Sequence, residues 1–461
     1  MLRYISFGNK KFKVLILLFF TVSLGLSTYI HIPYPPNRQP PLNNFGLLYS
    51  DIIHGVFVPR FLDVVSSYGF LDSNKVSEYW YNVQVVEELV YGRSANYLQC
   101  PVPYRDYKFE YPPLIATAWY MSTCVAYLYT YRFIKTPSNP LEYRSIVENY
   151  VIPIHFSIQV GMLLIFCILT LIYLYKLLKQ ENDASRLLLF LILPSTVIYI
   201  TYNWDIIAAA FTLMSLHSLT KNRYASAGVF LGLATATKVL PIFIAIPLLY
   251  EFIQRMYKTL EFRESAKRYG IGLLTSIAIP YTIPAILYQK GFSDFLNHHL
   301  TWYCENCLYL PFIQDIWSPI HRILFFSIAT IMMLTILAVE VSDNRRLYEV
   351  SFLALLTSML FNYVFSPQMM VMLSPLALLA LSQNLLKYYV VADAANALII
   401  SIFFKDAEIR SYIARYINLH VEFSPWSIES PVQWAAFTRN MILLIIFLSL
   451  LSRELKNVCR R

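Results

Sequence analysis

The chain has 461 residues, of which 57% are hydrophobic and only 14% are charged. Soluble domains carry about 25% charged residues, so the composition excludes an ordinary soluble protein and predicts an all-α polytopic membrane protein. The net charge of +9 is explained by Lys and Arg on the cytoplasmic side of a membrane, so we expect membrane lipid and no nucleic acid among the partners.

The first apolar run, about residues 12–32, follows a basic N-terminus that contains Arg3, Lys10, Lys11 and Lys13. The positive-inside rule places this end in the cytoplasm and sends the first span outward. Tyr-Pro-Pro-Asn follows the run in place of a small-residue cleavage site, so we interpret the run as a retained anchor.

A long first outer loop, residues 33–149, comes next. Apolar and acidic residues alternate in a helical pattern over 75–91, which indicates an amphipathic surface helix. The apolar run 112–133 is interpreted as an interfacial or re-entrant helix. If it crossed the membrane, the basic end of the next span, near Lys176 and Lys179, would face outside.

From residue 150 onward, apolar segments alternate between the two sides of the membrane. The run 225–249 has basic residues at both ends, so we predict two short legs with Thr237-Lys238-Val239 at the apex and a break at Pro241. Residues 1–461 then form one integral membrane domain of about twelve crossings, with both termini inside and further outer loops at 289–319 and 405–433. The predicted crossings after the first are 150–175, 187–202, 206–219, 225–249 (two legs), 269–288, 320–339, 347–365, 369–382, 388–404 and 434–451.

The six cysteines are scattered, and only Cys304-Glu-Asn-Cys307 has a suggestive spacing. A zinc site would usually need a second Cys or His pair, and the nearby His298 and His299 do not have standard spacing, so we expect no metal. A disulfide from Cys100 to Cys304 or Cys307 is favoured if both loops face outside.

Several ionisable residues fall at the predicted outer ends of apolar segments. Such residues cost about 2.5–3.5 kcal/mol each to insert at a span centre, so they tend to mark function or to pair with each other. They are Asp51, Glu110, Asp205, Lys238, His298 and His299.

Asp51 is the first candidate for chemistry. It follows an apolar, aromatic approach and precedes Ile-Ile, so poor solvation would raise its pKa, which suits a general base. Asp63 and Asp72 have less apolar flanks and are interpreted as solvated loop residues.

Each of the other residues has a structural alternative to a functional role. Lys238 could contact a lipid-borne phosphate, or it could snorkel or pair with Asp205. Asp205 could cap the helix that follows it. Glu110, before two prolines, suits a structural or acceptor-binding role. His298 and His299 could bind phosphate or face water.

Five motifs occur in a fixed order over most of the chain to about residue 385. They are Tyr49-Ser-Asp51, Phe109-Glu-Tyr-Pro-Pro-Leu114, Tyr202-Asn-Trp-Asp205, Gly228-Val-Phe-Leu-Gly-Leu-Ala-Thr-Ala-Thr-Lys-Val-Leu-Pro241 and Ser366-Pro-Gln368. In this set the chain resembles the GT-C superfamily of membrane glycosyltransferases, and within it the polyprenol-phosphate-mannose-dependent α-1,2-mannosyltransferase-like group.

The resemblance implies a catalytic acidic residue in the first outer loop, which is Asp51 here, and transfer of a hexose, with mannose favoured, with inversion. The implied donor is a polyprenyl- or dolichyl-phosphate sugar and the implied acceptor a glycolipid or glycan, on the outer face of the cell membrane, without cofactor or metal. The substrate-binding residues expected on this basis are Glu110, Tyr111, Asp205, Lys238, His298, His299, Arg322 and Gln368.

Two other classes of protein fit parts of the pattern. A transporter or flippase would explain twelve crossings, but it predicts matching halves with broken helices, and we see no such halves in the sequence. A non-catalytic membrane subunit could use the first loop as a docking platform, and it would tolerate changes at Asp51 and Lys238 together.

Overall fold

The computed structural model describes residues 10–33, 47–92, 100–256 and 260–459. Arg3 of the predicted basic N-terminus lies outside the described residues, as do residues 34–46 and 93–99 of the predicted first outer loop.

The described part of the chain is all-helical, which confirms the predicted fold class at that level. Beside the α-helices it has two π-helices, Asp51–Leu62 and Val147–Val151, and a 3₁₀ turn, Pro367–Met369. The α-helices are α1 (Lys10–His31), α2 (Ser73–Tyr79), α3 (Val83–Tyr91), α4 (Pro113–Phe133), α5 (Pro140–Ile146), α6 (Ile152–Gln180), α7 (Arg186–Ile192), α8 (Pro194–Tyr199), α9 (Asp205–Leu219), α10 (Tyr224–Thr237), α11 (Ile242–Met256), α12 (Leu260–Leu287), α13 (Gln289–Thr301), α14 (Ile320–Leu337), α15 (Asn344–Leu360), α16 (Met370–Ala380), α17 (Gln383–Phe403), α18 (Asp406–Ile413) and α19 (Pro431–Cys459).

Six segments among the described residues are long and apolar enough to cross a membrane. They are Phe12–His31, Pro140–Gln180, Phe262–Leu287, Ile320–Leu337, Gln383–Phe403 and Pro431–Lys456. Shorter apolar helices, such as the 15-residue α9, reach only about 22 Å, less than the roughly 30 Å of a bilayer core. The protein is therefore a membrane protein by its helices, while a total of twelve crossings stays a prediction.

Proline divides two of the predicted apolar segments. The predicted span 187–202 is two helices, α7 and α8, because Pro194 cannot continue the hydrogen bonding of α7. The run 225–249 is likewise α10 and α11, with Lys238 between them, as the two-leg prediction required.

The predicted surface helix 75–91 is interrupted. It consists of α2 and α3, which are separated at Trp80, a buried residue whose indole N–H donates to the Arg60 carbonyl at 2.8 Å. The predicted helix 112–133 is α4, whose start at Pro113 is favourable because proline suits the first turn. The segments predicted as outer loops, 289–319 and 405–433, each contain a helix, α13 and α18 respectively.

An aromatic core lies within the first loop and holds the π-helix Asp51–Leu62 in place. Phe61 contacts Trp80, Tyr107 and Tyr127 with ring centroids 5.2–5.9 Å apart. The Tyr143 hydroxyl donates to the Phe61 carbonyl at 2.7 Å. The described part of the predicted first outer loop is therefore a packed layer. It can fix the position of Asp51, the first residue of this π-helix.

Helices α10 and α12 approach each other closely through glycine. A Cβ at Gly228 would lie 2.0 Å from the Tyr269 carbonyl oxygen, and a Cβ at Gly232 would lie 2.7 Å from Leu273 O. Small residues four apart allow this approach in membrane helices. The glycines of the Gly228–Pro241 motif thus have a packing role, since they hold α10 close against α12.

Both disulfides differ from the predicted pairing. Cys100 bonds to Cys124 of α4, and Cys304 bonds to Cys307, with Cα–Cα distances of 5.1 and 5.5 Å. These separations are within the range that a disulfide requires. The prediction of a bond from Cys100 to Cys304 or Cys307 was wrong because each of these cysteines has a nearer partner, on α4 or within its own loop.

Candidate active site

A cavity of about 740 Å³ contains most of the predicted site residues. Its apolar wall comes from α11, α14 and α17, through Phe243, Phe325, Phe326, Ile399, Ile400 and Phe403. Its polar lining includes Asp51, Glu110, Tyr111, Lys238, His298, His299 and Gln368. This central cavity therefore combines a large apolar surface with a compact group of polar side chains.

Asp51 is the first residue of the π-helix Asp51–Leu62. Ser50 caps this helix, since its side chain accepts a hydrogen bond from the Ile53 N–H at 3.3 Å. The Ser50 carbonyl accepts from the N–H groups of both His54 and Gly55, at 2.8 and 3.2 Å. π-Helical geometry is rare and is often found at functional sites. Here it presents the half-buried Asp51 carboxylate to the cavity.

Three neutral donors converge on one oxygen of this carboxylate. Asp51 Oδ2 accepts from Asn203 Nδ2 at 2.6 Å, from the Tyr111 hydroxyl at 3.0 Å and from Gln368 Nε2 at 3.1 Å. Among the described residues, no hydrogen bond or ion pair reaches Oδ1. The carboxylate is therefore held in orientation through Oδ2, which leaves Oδ1 available as a proton acceptor.

Burial raises the pKa of Asp51 from its ordinary value to about 7, and the negative charge of Glu305 adds to this effect. The hydrogen bond from Tyr111 and the charge of Lys238 act in the opposite direction. A carboxylate with this pKa changes its protonation state near neutral pH, as a general base requires.

Asp51 and its three hydrogen-bond donors come from separate parts of the chain. Tyr111 precedes α4, Asn203 precedes α9, and Gln368 lies in the 3₁₀ turn before α16. Each side chain is thus placed by the start of a helix. Asn203 was missed by sequence reasoning, although it lies in the Tyr202-Asn-Trp-Asp205 motif from which Asp205 was chosen.

Lys238 lies at the end of α10 and pairs with Asp205. Its Nζ is 3.1 Å from Asp205 Oδ1 and 3.3 Å from Oδ2. Lys238 lines the cavity, and the buried Asp205 lies behind it. The predicted capping role of Asp205 was wrong, because Trp204 occupies the N-cap position and Asp205, the first residue of α9, makes no capping hydrogen bond.

His298 and His299, in the last turn of α13, both line the cavity. Burial lowers the pKa of each to about 4, so both imidazoles are neutral near pH 7. The Tyr363 hydroxyl donates to the His299 carbonyl and anchors this end of α13. The pair can offer neutral hydrogen bonds to a ligand, while Lys238 supplies the positive charge.

Close contact between α13 and the first loop brings these histidines to the cavity. A Cβ at Gly291 would lie 2.0 Å from the Tyr104 carbonyl oxygen, so only glycine fits there. The Tyr104 ring also packs on Phe295 of α13, with centroids 5.9 Å apart.

Glu110 lines the cavity and forms an ion pair with the buried Arg60. Arg60 also donates to the Lys108 carbonyl at 2.7 Å and to the Val56 carbonyl at 3.1 Å. This contact ties the π-helix Asp51–Leu62 to the loop before α4. It agrees with the structural alternative for Glu110, and a contact with an acceptor stays a prediction.

Arg322 does not belong to the lining of the central cavity. Its guanidinium donates to the Trp302 carbonyl at 3.0 Å and lies 5.9 Å from the centre of the Tyr363 ring. A contact between Arg322 and a phosphate in the cavity therefore stays a prediction, since Arg322 touches two residues of the lining without belonging to it. Its place at the start of α14 directs it to the Trp302 backbone.

Sequence reasoning also missed several cavity residues in the Cys304–Cys307 region. Trp302, Tyr303 and Glu305 all line the cavity. The signal in the sequence was the Cys-x-x-Cys spacing itself, which was considered only for zinc or a disulfide.

One group in the described part of the chain has the composition of a metal site. The ligand atoms of Cys304, Cys307 and His321 lie within 4.8 Å of one another. Zinc binds cysteine as thiolate, and here the two sulfur atoms are joined in a disulfide. In this oxidised form the group cannot hold a metal ion through both cysteines.

Comparison of the chain with protein-family models and with curated proteins finds no match.

Proposed function

We propose that the protein is an inverting glycosyltransferase that moves a hexose, with mannose favoured, from a polyprenyl- or dolichyl-phosphate donor to a glycolipid or glycan acceptor. The observation that carries the proposal is the Asp51 carboxylate. It lies in a cavity with a large apolar wall, three donors fix its Oδ2, and its Oδ1 is available for a proton. These features match the acid expected from the resemblance to the GT-C superfamily.

In the proposed reaction, Asp51 Oδ1 accepts the proton of an acceptor hydroxyl. The acceptor oxygen forms a bond to the anomeric carbon, and the bond from that carbon to the phosphate oxygen breaks with its electron pair on the phosphate. The sugar passes through an oxocarbenium-like state and inverts. Because the lipid phosphate is a good leaving group, no general acid is needed.

Charge on the departing phosphate would be stabilised by Lys238, His298 and His299. Lys238 is the cation among these three side chains, and the two histidines are neutral donors. Electrostatic groups fixed before the reaction lower the barrier because they need no rearrangement in the transition state.

The apolar wall beside Lys238 suits a lipid chain. Val239 and Leu240 follow Lys238 directly, and they line the cavity together with Phe243 of α11 and with Phe325 and Phe326 of α14. The Phe243 and Phe325 rings lie 6.3 Å apart. A polyprenyl phosphate bound with its head at Lys238 would place its first isoprene units on this surface.

A second group of aromatic residues lies beside Asp51. Tyr49 contacts Phe404 at a ring distance of 5.7 Å, and Trp426 contacts Tyr303 and Phe403 at 6.0 and 5.5 Å. All five residues line the cavity. Flat apolar rings beside a base suit a saccharide acceptor, which presents C–H groups on its faces and hydroxyls at its edges.

The proposal includes a location. The protein would be a multi-pass protein of the cell membrane with both termini in the cytoplasm, and the central cavity would open on the extracytoplasmic side. The basic residues that flank the predicted spans support this orientation.

Sugar transfer by the purified protein in lipid vesicles tests the proposal. The donors are radiolabelled polyprenyl-phosphate-mannose and, in parallel, polyprenyl-phosphate-glucose, with native membrane extract as acceptor. We expect label in a new product with wild type and none with Asp51→Asn. Folded wild-type protein that transfers from neither donor would contradict the proposal, and the transporter and membrane-subunit alternatives would take its place.

A further inference from the structure

The loop that contains Cys304 and Cys307 carries another carboxylate into the central cavity, beside those of Asp51 and Glu110. Glu305 lies between the two half-cystines and lines the cavity with Asp51. Its backbone N–H donates to the Tyr363 carbonyl and its carbonyl accepts from the Phe365 N–H, both at 2.9 Å. Two hydrogen bonds and the ring of four residues closed by the Cys304–Cys307 disulfide therefore fix the main chain of Glu305.

Hydrogen bonds made by the neighbouring Asn306 also hold this loop in place. Asn306, next to Glu305, adopts a left-handed conformation with φ of 53°, and its carbonyl accepts from Asn440 at 2.9 Å and from Arg439 at 3.3 Å. The Asn306 side chain accepts from Gln433 at 3.1 Å. The loop around Glu305 is thus tied to α19 and to the segment between α15 and the 3₁₀ turn Pro367–Met369.

The Glu305 side chain is held at one oxygen only. Trp302 Nε1 donates to Oε2 at 3.2 Å, and among the described residues no hydrogen bond reaches Oε1. The residue is half-buried and makes no ion pair with any described side chain. Its negative charge is therefore not matched by an ion pair, and the charge of the buried Arg439, which donates to the neighbouring Asn306 carbonyl, also acts on it.

Every other acid around Asp51 is paired. Glu110 pairs with Arg60 and Asp205 pairs with Lys238. His54, on the same π-helix as Asp51, is neutral because burial lowers its pKa to about 4. Among the described residues, the tyrosines Tyr49, Tyr111, Tyr199 and Tyr202 also interact with Asp51, and they are uncharged at neutral pH.

We propose that Glu305 is a positioning residue of the same site, and that the disulfide-closed loop holds its unpaired negative charge where it favours transfer of a proton to Asp51. A fixed like charge disfavours the ionised form of a neighbouring carboxylate, so the carboxylate binds a proton more strongly. The catalytic consequence rests on the proposed function, in which Asp51 removes the acceptor proton.

The proton affinity of Asp51 can be measured without any enzyme assay. Infrared difference spectra recorded along a pH titration show the C=O stretch of a protonated buried carboxyl, and the band that is lost in Asp51→Asn belongs to Asp51. We expect Glu305→Gln to move the titration midpoint of this band to lower pH, on the order of one pH unit, a tenfold change in proton affinity. Glutamine keeps the shape of the side chain and can still accept from Trp302.

The matched control is Glu408→Gln, which removes the same charge from a side chain that is 55% exposed and pairs with Lys405. This control should leave the midpoint where it is in wild type. An unchanged midpoint in Glu305→Gln, or an equal movement in Glu408→Gln, would overturn the inference.

A double variant, Cys304→Ser with Cys307→Ser, tests the role of the loop. We expect its midpoint to move in the same direction as that of Glu305→Gln, since the carboxylate is then less firmly held. A midpoint equal to that of wild type would show that the disulfide does not hold the charge in place.

Sugar-transfer rates across the same pH range separate this inference from the proposed function. On the acidic side of the pH–rate curve, called the acidic limb, the transfer rate should rise at lower pH in Glu305→Gln than in wild type. If Asp51→Asn transfers sugar as well as wild type, the proposed function fails, whatever the titration gives. If Asp51→Asn is inactive and the limb in Glu305→Gln does not move, only the role of Glu305 fails.

Discussion

The central cavity has two charged regions that are built in opposite ways. At Lys238 a cation meets Asp205 at 3.1 Å, so the charge is matched by a partner within the protein. At Asp51 a carboxylate meets three neutral donors and no cation within hydrogen-bonding distance. Matched charge secures structure, whereas charge held only by neutral dipoles stays responsive to a proton. Within the proposed function, this difference favours Asp51 over Asp205 as the residue that takes part in the chemistry.

Substitution of Asp51 and of Asp205 should separate the proposed catalytic role from the structural role most clearly. Asp51→Asn should lower the transfer rate by roughly 10²–10⁴-fold, the usual contribution of a general base, with donor binding retained. Asp205→Asn should retain the base and lose stability instead. We expect the free energy of unfolding to fall by about 1–3 kcal/mol. This is less than for a fully buried pair, because the Lys238 side chain is 17% exposed. Rate and thermal unfolding measured on both variants check the prediction, and equal rate losses would contradict it.

The second-largest effect should be a loss of donor affinity when the Lys238 cation is removed. Lys238→Met should weaken binding of a polyprenyl-phosphate sugar by roughly 10–100-fold, since a charge-assisted hydrogen bond contributes about 1.5–3 kcal/mol. Equilibrium binding of labelled donor in detergent or nanodiscs measures this effect. Lys221→Met, at the exposed turn before α10, removes a cation elsewhere and should bind as wild type does. Unchanged affinity in Lys238→Met would remove this residue from the donor site.

Thermal unfolding should show that the raised pKa of Asp51 destabilises the folded protein at neutral pH. Its pKa in the folded protein, about 7, lies above the ordinary value of 3.8, so the folded state binds the proton more strongly than the unfolded state. Stability from this group is present below pH 3.8 and is lost as pH rises toward 7. Asp51→Asn should therefore unfold at higher temperature than wild type above pH 7, and the gap should shrink toward pH 4. A gap that does not depend on pH would argue against a raised pKa.

The smallest effect is expected at Arg322, which lies outside the cavity lining. Arg322→Lys should change donor affinity by less than about threefold, since this cation contacts the Trp302 carbonyl and the Tyr363 ring. The binding assay used for Lys238→Met provides the measurement. A tenfold loss would show that Arg322 reaches the donor after all.

Local patterns in the sequence were sufficient for several features. Basic residues at both ends of 225–249, with Pro241 inside, predicted the two legs α10 and α11 and the position of Lys238 between them. The apolar flanks of Asp51 predicted its poor solvation and raised pKa. Both inferences depend on hydropathy and charge within a few residues, which the sequence displays directly.

Features that depend on contacts between distant segments were not predictable in this way. Asn203 reaches Asp51 across 152 positions, and Gln368 reaches it across 317. The cysteine pairing followed from which helices are neighbours, so Cys124 was overlooked as the partner of Cys100. Asp205 looked like a helix cap by position alone. Its pairing with Lys238 was one of the alternatives that the sequence left open, and the approach of α9 and α10 confirms it.

The pH dependence of sugar transfer tests the central claim most directly. With saturating polyprenyl-phosphate-mannose in lipid vesicles, the wild-type rate should rise as pH increases through about 7 and then level off, because Asp51 must lose its proton to act as the base. Asp51→Asn should stay at background over the whole range. A wild-type rate that is flat from pH 5 to 9, or an Asp51→Asn rate that follows the wild-type curve, would contradict a catalytic role for Asp51.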